Sequence, residues 1–288
     1  MVAILGGLGA ALSWAIATLA SSRSSRMIGP ISVLGWVMAV GWLAAIGPAF
    51  ISAPPPRLGL PEVAALVATG LSHNIGLLLA YRALSIGRVS IVAPITSTEG
   101  AGAALLSVVF GESLAGTTAL ILAAIALGVV LAAAERSADP TSGPRLDPGH
   151  NREAALFAIA AAATFSIGLV LAGRLGADGM PPAWVMLVSR TVGLTVIVLP
   201  LVVTRRFRLT RAALPLVIVS GLLEVFGGGI YIVAASHGVA VAAVISSQFA
   251  AIAAIGGFVL FGERLQRLQL MGVVVIAIGV TTLAALQA

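Results

Sequence analysis

The chain has 288 residues, of which 59% are hydrophobic and 9% charged, and its mean hydropathy is +1.12. A soluble domain carries about 25% charged residues, so this composition excludes a water-soluble globular protein and predicts a membrane protein. The absence of cysteine excludes disulfides and thiolate metal sites, and the net charge of +6 comes from an excess of arginine.

Unbroken hydrophobic runs of about twenty residues fill the sequence, and each can cross a hydrocarbon core of about 30 Å as a helix. Such runs exclude a porin-type barrel, whose strands alternate between apolar and polar residues. The ten runs, numbered as helices 1 to 10, lie near residues 2–21, 28–52, 61–84, 88–110, 114–134, 153–173, 181–204, 212–235, 238–261 and 268–287. We therefore predict an all-α integral membrane protein with ten transmembrane helices.

Arginine is distributed unequally between the two sets of loops. The loops after even-numbered helices hold only two arginines, Arg57 after helix 2 and Arg174 after helix 6. Every other arginine that lies outside a predicted span is in a loop after an odd-numbered helix. These are Arg23, Arg26, Arg82, Arg88, Arg136, Arg145, Arg152, Arg205, Arg206, Arg208, Arg211, Arg264 and Arg267. Because cytoplasmic loops collect positive charge, we predict a multi-pass protein of a bacterial-type inner (plasma) membrane with both termini outside the cytoplasm.

The second half of the chain repeats the first at a shift of 151 residues, most clearly where Phe110-Gly111-Glu112 aligns with Phe261-Gly262-Glu263. Five spans is an odd number, so the second copy enters the bilayer upside down, and a pseudo-twofold axis lies in the membrane plane. We therefore expect a first five-helix repeat at 1–134, a polar connecting loop at 135–152 and an inverted five-helix repeat at 153–288.

Four ionisable residues lie near the middle of predicted spans: His73, Glu99, Arg190 and Glu224. A charge at the bilayer centre costs about 2.5 to 3.5 kcal/mol, so each of them needs a reason to be there. The shift of 151 maps His73 onto Glu224, which predicts that the two flank the repeat interface. Our hypothesis is that both face a common water-filled cavity, and the alternative is a buried pair that only fixes helix packing.

Arg190 has two interpretations. Its planar guanidinium can hold a carboxylate or phosphate of a solute in two places. Alternatively, Arg190 pairs with Glu99 and is structural. Glu99 and Glu224 are also the candidates for proton coupling.

Further candidates for solute binding surround these groups. Ser97 and Gln248 occupy equivalent positions in helices 4 and 9, where polar residues serve either a binding site or interhelical hydrogen bonds. Trp14 and Phe165 correspond to within one residue under the shift, so we expect both to wall the same cavity. Asn74 and Tyr231 complete the set of candidates. Simple packing is the alternative for the aromatic residues.

Several of these features resemble the drug/metabolite transporter superfamily, EamA type. They are the five-plus-five repeat, the Gly111-Glu112 and Gly262-Glu263 motifs that close helices 4 and 9, the Tyr81-x-Ala83-Leu84 segment, and Pro94 within helix 4. The resemblance covers essentially the whole chain. It implies a central cavity lined by helices 1, 3, 4, 6, 8 and 9, and makes the aromatic amino acid exporters candidate close kin. In the second half, Ile245 stands where the first half has Pro94.

Together these features predict a secondary transporter that exports a small polar or amphipathic metabolite, most simply of amino acid type, by alternating access and with proton coupling. The alternatives are a sugar-phosphate or nucleotide-sugar exchanger and an intramembrane enzyme that uses the midplane His and Glu groups. The sequence carries no Walker loop and no hydrolase or zinc-protease motif. We expect no catalytic residue, metal or cofactor. The expected partners are a small-molecule substrate and the bilayer, not nucleic acid, with the chain a monomer or a weak homodimer.

Overall fold

The computed structural model describes residues 1–56, 58–86, 92, 95–133, 148–249, 251–252 and 267–286. All regular secondary structure within these residues is helical. The helices α1 to α10, numbered by the predicted span to which each belongs, are Val2–Ile28, Pro30–Ile51, Leu60–Ile86, Glu99–Val109, Gly116–Ala133, Pro148–Ala177, Pro182–Val203, Leu214–Ala235, Val239–Ser246 and Arg267–Leu286. The all-α membrane fold is confirmed.

Six of these helices are long and apolar enough to cross a membrane on their own: α1, α2, α3, α6, α7 and α8. Several extend beyond their predicted spans. α1 ends at Ile28, so Arg23 and Arg26 lie on its last turns and not in a loop. The helix stops at Gly29, whose φ of 86° suits glycine, and Pro30 then starts α2 at a position where its missing N–H costs nothing.

Helices 4 and 9 are interrupted within their predicted spans. The chain turns at Ser97 and Thr98 before α4 begins, and turns again at Ser247 and Gln248 after α9 ends. At these turns Thr98 donates to the Ile95 carbonyl at 2.7 Å and Ser247 to the Val244 carbonyl at 2.8 Å. Such local bonds compete with the helical ladder. Pro94 and residues 253–261 of predicted helix 9 lie outside the described residues.

Equivalent helices of the two repeats run in opposite directions. Gly128 of α5 faces Ile276 of α10, while Gly279 of α10 faces Ile125 of α5, so these helices are antiparallel. In the same way, Gly41 of α2 faces Arg190 of α7, and Gly35 of α2 faces Leu201 of α7. α2 and α7 are therefore antiparallel too. The two halves therefore form the inverted repeat that an odd number of spans per half requires.

Two symmetry-related helix pairs dominate the packing, α1 with α8 and α3 with α6. In each pair a glycine lies under an aromatic ring of the partner helix. Gly227 of α8 faces Trp14, and its repeat equivalent Gly76 of α3 faces Phe165. These contacts bring the helices of each pair close together, and they hold α3 and α8 on opposite sides of the pseudo-twofold axis.

The glycine run in α8 provides a matched test of this packing. A Cβ at Gly227 would lie 2.8 Å from Trp14 Nε1, whereas a Cβ at Gly229 would meet nothing within 4 Å. We expect Gly227→Ala to lower the free energy of unfolding by about 1 to 3 kcal/mol through overpacking. Gly229→Ala should leave it unchanged or raise it by up to about 1 kcal/mol, because alanine favours helix. Thermal unfolding in detergent measures both, and equal melting of the two variants would contradict the packing.

Candidate functional site

His73, Arg190 and Glu224 meet at the repeat interface, each on a different helix. His73 on α3 places Nε2 3.3 Å from Glu224 Oε2 on α8, and Arg190 on α7 places Nη2 3.8 Å from the same oxygen. Arg190 is 0% exposed and Glu224 5% exposed. One carboxylate oxygen therefore faces both a guanidinium and an imidazole inside the bundle, and we call these three residues the central cluster.

The sequence predicts either an anionic group of a solute or Glu99 as the partner of Arg190, but the carboxylate that pairs with it in the structure is Glu224. Space for the guanidinium comes from α2, where a Cβ at Gly41 would lie 3.1 Å from Arg190 Nε. Met38 on the same helix accepts from Arg190 Nη1 through its sulfur at 3.4 Å. The sequence predicts how deep a residue lies along its helix, but not the direction in which its side chain points around the helix axis. The sequence therefore could not identify which carboxylate Arg190 faces.

Glu99 is the first residue of α4, immediately after the break, and is 4% exposed. Its backbone carbonyl accepts a hydrogen bond from the Ser166 hydroxyl of α6 at 2.9 Å. Among the described residues, no basic side chain forms an ion pair with its carboxylate.

The two broken helices cross next to Glu99. A Cβ at Gly100 would lie 2.5 Å from the Ala243 carbonyl and 2.5 Å from Ser247 Oγ, so α4 and α9 touch at this glycine. Ser97 and Gln248 are both buried at the breaks on either side of this crossing. Discontinuous helices expose backbone groups to a cavity and not to lipid, which is the usual arrangement around solute sites in inverted-repeat carriers.

Trp14 and Phe165 occupy equivalent positions in the two repeats, on α1 and α6. The Phe165 ring lies 6.0 Å from the His73 ring, and the Trp14 ring lies 5.8 Å from that of Tyr231. Both rings are only partly buried. They form apolar surfaces on two sides of the central cluster.

The side-chain nitrogen of Asn74 and the hydroxyl of Tyr231 donate to backbone carbonyls of neighbouring helices. The Asn74 amide donates to the carbonyls of Gly70 at 2.7 Å and Ser189 at 3.1 Å, which ties α3 to α7 beside Arg190. The Tyr231 hydroxyl donates to the Leu169 carbonyl of α6 at 3.0 Å. The observed role of both residues is to hold helices around the central cluster.

A second polar cluster was not foreseen from the sequence. Ser21 on α1 lies 2.5 Å from Ser220 on α8 between hydroxyl oxygens, and it donates to the Tyr81 hydroxyl of α3 at 2.9 Å. Ser220 precedes Glu224 by one helical turn, so the two share a face of α8. The four-residue spacing of Ser220 and Glu224 is visible in the sequence and indicates that they share a helix face. The contacts of Ser21 and Tyr81 with Ser220 arise only from the packing of α1 and α3 against α8, which the sequence does not show.

The comparisons with known proteins match this architecture. The model of the EamA-like transporter family matches the chain twice, over residues 1–134 and 152–285. The chain belongs to the EamA-like transporter family. Membership makes it a membrane transporter of the drug/metabolite superfamily.

Solved structures share the fold of this EamA-like transporter. Twenty-three chains of known structure match it. One, whose title reads only "Crystal structure of protein", is 19% identical, with a TM-score of 0.71 over 98% of this chain and 96% of that chain. At this identity the likeness shows the fold alone. No curated protein matches the sequence.

Unsatisfied polar atoms of this EamA-like transporter concentrate in the candidate residues. Nine buried side-chain nitrogen or oxygen atoms in the described residues have no hydrogen-bond partner, and seven of them belong to residues singled out from the sequence. They lie on Trp14, His73, Asn74, Arg190, Glu224 and Gln248. Three of these seven atoms, His73 Nε2, Arg190 Nη2 and Glu224 Oε2, face one another at the ion-pair distances of the central cluster.

A pair of isosteric substitutions tests the electrostatics of this EamA-like transporter. Glu224→Gln leaves Arg190 buried without its counter-charge, and removal of one partner from a buried ion pair costs about 3 to 5 kcal/mol of stability. Glu99→Gln replaces a buried carboxyl group that has no ion-pair partner among the described residues, and it should leave stability unchanged or raise it. The free energies of unfolding in detergent measure both. The assignment fails if Glu99→Gln proves the more destabilising of the two.

Proposed function

We propose that this protein exports a small polar or amphipathic metabolite of amino acid type by alternating access, in exchange for protons. The central cluster carries the proposal, because it joins α3 of the first repeat to α7 and α8 of the second at their interface. Rocking of one inverted repeat against the other moves the two sides of such an interface in opposite senses. A solute held there is exposed alternately to the two sides of the membrane.

The chemistry of the candidate residues favours a zwitterionic solute. Arg190 keeps Nε without a hydrogen-bond partner beside its ion pair with Glu224, and a planar guanidinium matches a carboxylate. Glu99 supplies a carboxylate for an ammonium group. Trp14 and Phe165 offer apolar surfaces for the side chain of the solute. An amino acid carries all three chemical groups, whereas a sugar phosphate has no ammonium group for Glu99.

Proton exchange follows from competition at Glu99. The ionised carboxylate attracts the ammonium group of a solute, and its protonated form does not, so a proton and a solute exclude one another. Glu224 is occupied by Arg190 and His73 and serves as the fixed counter-charge of the cluster. A proton that binds Glu99 from the outside therefore displaces the solute there, and the carrier returns with the proton.

Substitution of Glu99 separates solute exchange from proton coupling. In proteoliposomes, an acidic lumen should accelerate the uptake of a transported amino acid by the wild-type protein. We expect Glu99→Gln to abolish this acceleration but to retain solute-for-solute exchange, with a KM about tenfold higher because a charge-assisted contact is lost. Uptake across a panel of amino acids and sugar phosphates, with and without a pH gradient, identifies the solute. Undiminished acceleration by acid in the variant would eliminate Glu99 as the coupling group.

The proposed direction of transport requires a defined orientation of the protein in the membrane. Arg205, Arg206, Arg208 and Arg211 all lie between α7 and α8, so this loop is placed in the cytoplasm and both termini are placed outside. A reporter enzyme that works only outside the cytoplasm should be active when fused after Ala288 and inactive when inserted near Arg208. The opposite pattern would invert the direction assigned to transport.

A further inference from the structure

The loop between α7 and α8 begins with an uncommon backbone conformation. Arg205, two residues after α7 ends, has a φ of 53° and is the only non-glycine residue with a positive φ among the described residues. The Arg206 N–H bonds to the Leu201 carbonyl at 2.9 Å, and the Arg205 N–H bonds to the Val202 carbonyl at 3.1 Å. These two bonds form a Schellman motif, which ends a helix by placing one residue in the left-handed region. Arg205 is that residue.

Glycine occupies the same position at the ends of α4 and α6. Gly111 after α4 has a φ of 99° and Gly179 after α6 has a φ of 83°. In both turns the next residue donates to the carbonyl five positions earlier at 2.9 Å. Glycine has no Cβ and adopts this conformation without strain, whereas arginine does not. Arg205 therefore lowers stability at a position where two similar turns use glycine, and residues held in this way concentrate at functional sites.

Contacts with α2 hold the next part of the loop in place. The Trp36 indole N–H donates to the Arg208 carbonyl at 2.9 Å, and the Trp36 and Phe207 rings stack with their centres 4.4 Å apart. The buried Ser32 hydroxyl accepts from the Arg208 N–H and donates to the Arg206 carbonyl, both at 3.4 Å. The backbone of the loop is therefore fixed against α2 on both sides of Phe207.

The side chains exposed along this loop are strongly basic. Residues 204–213 contain four arginines and no acidic residue. All four arginines are exposed, and none of them forms an ion pair with an acidic side chain of the described residues. They are Arg205, Arg206, Arg208 and Arg211. We call residues 204–211 the basic loop.

The basic loop lies where the protein meets the lipid headgroups. Val202 and Val203 on the last turn of α7 are 53% and 73% exposed, as expected of side chains that contact acyl chains. The first arginine follows two residues after Val203, and tryptophan at such a boundary, here Trp36, is typical of the headgroup layer. Lipid phosphates are therefore the anions closest to the basic loop, and arginine binds phosphate through two parallel hydrogen bonds.

A role in membrane orientation explains the charge of the basic loop but not its geometry. The positive-inside rule depends on the number of basic residues near the ends of the spans and requires no particular loop conformation. It gives no reason for an arginine at a position that favours glycine, nor for hydrogen bonds that fix the backbone between arginines. Recognition of a headgroup gives both a reason, because preorganised groups lose less conformational freedom on binding.

We propose that the basic loop is a binding site for the headgroup of an anionic phospholipid, with Arg205, Arg206 and Arg208 as the residues that hold its phosphate. Clusters of basic residues beside a transmembrane helix attract anionic lipids, and here the contacts with α2 fix the cluster in one arrangement. The inference rests on the membrane fold and not on the identity of the transported solute or the direction of its transport.

Native mass spectrometry of the full-length protein in a nonionic detergent tests the site. The probe is dioleoylphosphatidylglycerol, and dioleoylphosphatidylcholine is the zwitterionic lipid with the same acyl chains. We expect the wild-type protein to bind its first anionic lipid at least about tenfold more tightly than the zwitterionic one. Arg205→Gly and Arg208→Ala should each weaken binding of the anionic lipid about fivefold, the effect of losing one arginine beside the headgroup.

Arg205→Gly also separates binding from stability, because its two effects have opposite signs. Without added lipid its melting temperature in detergent should rise by about 2 °C, since glycine removes the backbone strain. Gly179→Ala is the reverse control, because a Cβ there would meet nothing within 4 Å and the variant introduces only the strain. It should melt about 2 °C lower than the wild type and bind the anionic lipid with wild-type affinity.

Arg82→Ala is the control for charge. It removes an exposed arginine from the end of α3, where Arg82 lies 3.8 Å from Glu153 and outside the basic loop. We expect it to change the affinity for the anionic lipid by less than about twofold, because an exposed pair of this kind contributes little. Melting temperatures verify that each variant is folded.

Five results would each overturn the site. Equal affinity of the wild-type protein for the two lipids would do so, as would wild-type affinity for the anionic lipid in folded Arg205→Gly and Arg208→Ala variants. An equal loss for Arg82→Ala would indicate general attraction to positive charge. A lower melting temperature for Arg205→Gly would contradict the backbone strain. Displacement of the lipid by an equal concentration of inorganic phosphate would identify a site for free anions. The titration involves no transported solute, so its outcome is separate from that of the transport assays.

Discussion

A fully enclosed arginine dominates the energetics of this bundle. Removing a guanidinium from water into a helical membrane protein is unfavourable unless a carboxylate and further polar groups surround it. Glu224 supplies that carboxylate from α8, Met38 and Gly41 supply a sulfur contact and space from α2, and His73 approaches the same oxygen from α3. Four helices from both repeats must therefore arrive together for Arg190 to be tolerated.

Two helices beside the cluster, α4 and α9, are interrupted within their predicted spans. Continuous α4 and α9 would satisfy their own backbones and present only side chains to the centre. The breaks at Ser97-Thr98 and Ser247-Gln248 bring the start of one helix and the end of another into the interior, next to Glu99. At the two turns, the Thr98 and Ser247 hydroxyls donate to backbone carbonyls three residues earlier. Polar backbone at this depth is acceptable only where it borders a protein-lined cavity.

The sequence contained much of this architecture, for reasons that are physical. Span number followed from the length of the hydrophobic runs, and inversion followed from an odd count per half. The juxtaposition of His73 and Glu224 followed from the shift of 151, since an in-plane axis relates equivalent depths. The contacts that the sequence did not predict depend on how each helix is rotated about its own axis and on packing between residues far apart in the chain. The choice of Glu224 over Glu99 by Arg190, the Ser21–Ser220–Tyr81 contacts and the stacking of Phe207 on Trp36 are of this kind.

The pairing of His73 with Glu224 suggests a reason why the two repeats lie in one polypeptide and not in two identical chains. A dimer of identical five-helix chains would set the same residue on both sides of its axis, either two imidazoles or two carboxylates, and like charges at that depth repel. Covalent fusion released the copies to diverge, so that a base faces an acid while the glycine-under-aromatic contacts remain shared. The duplication thus preserved the mechanical symmetry of the bundle and gave up its chemical symmetry at the centre.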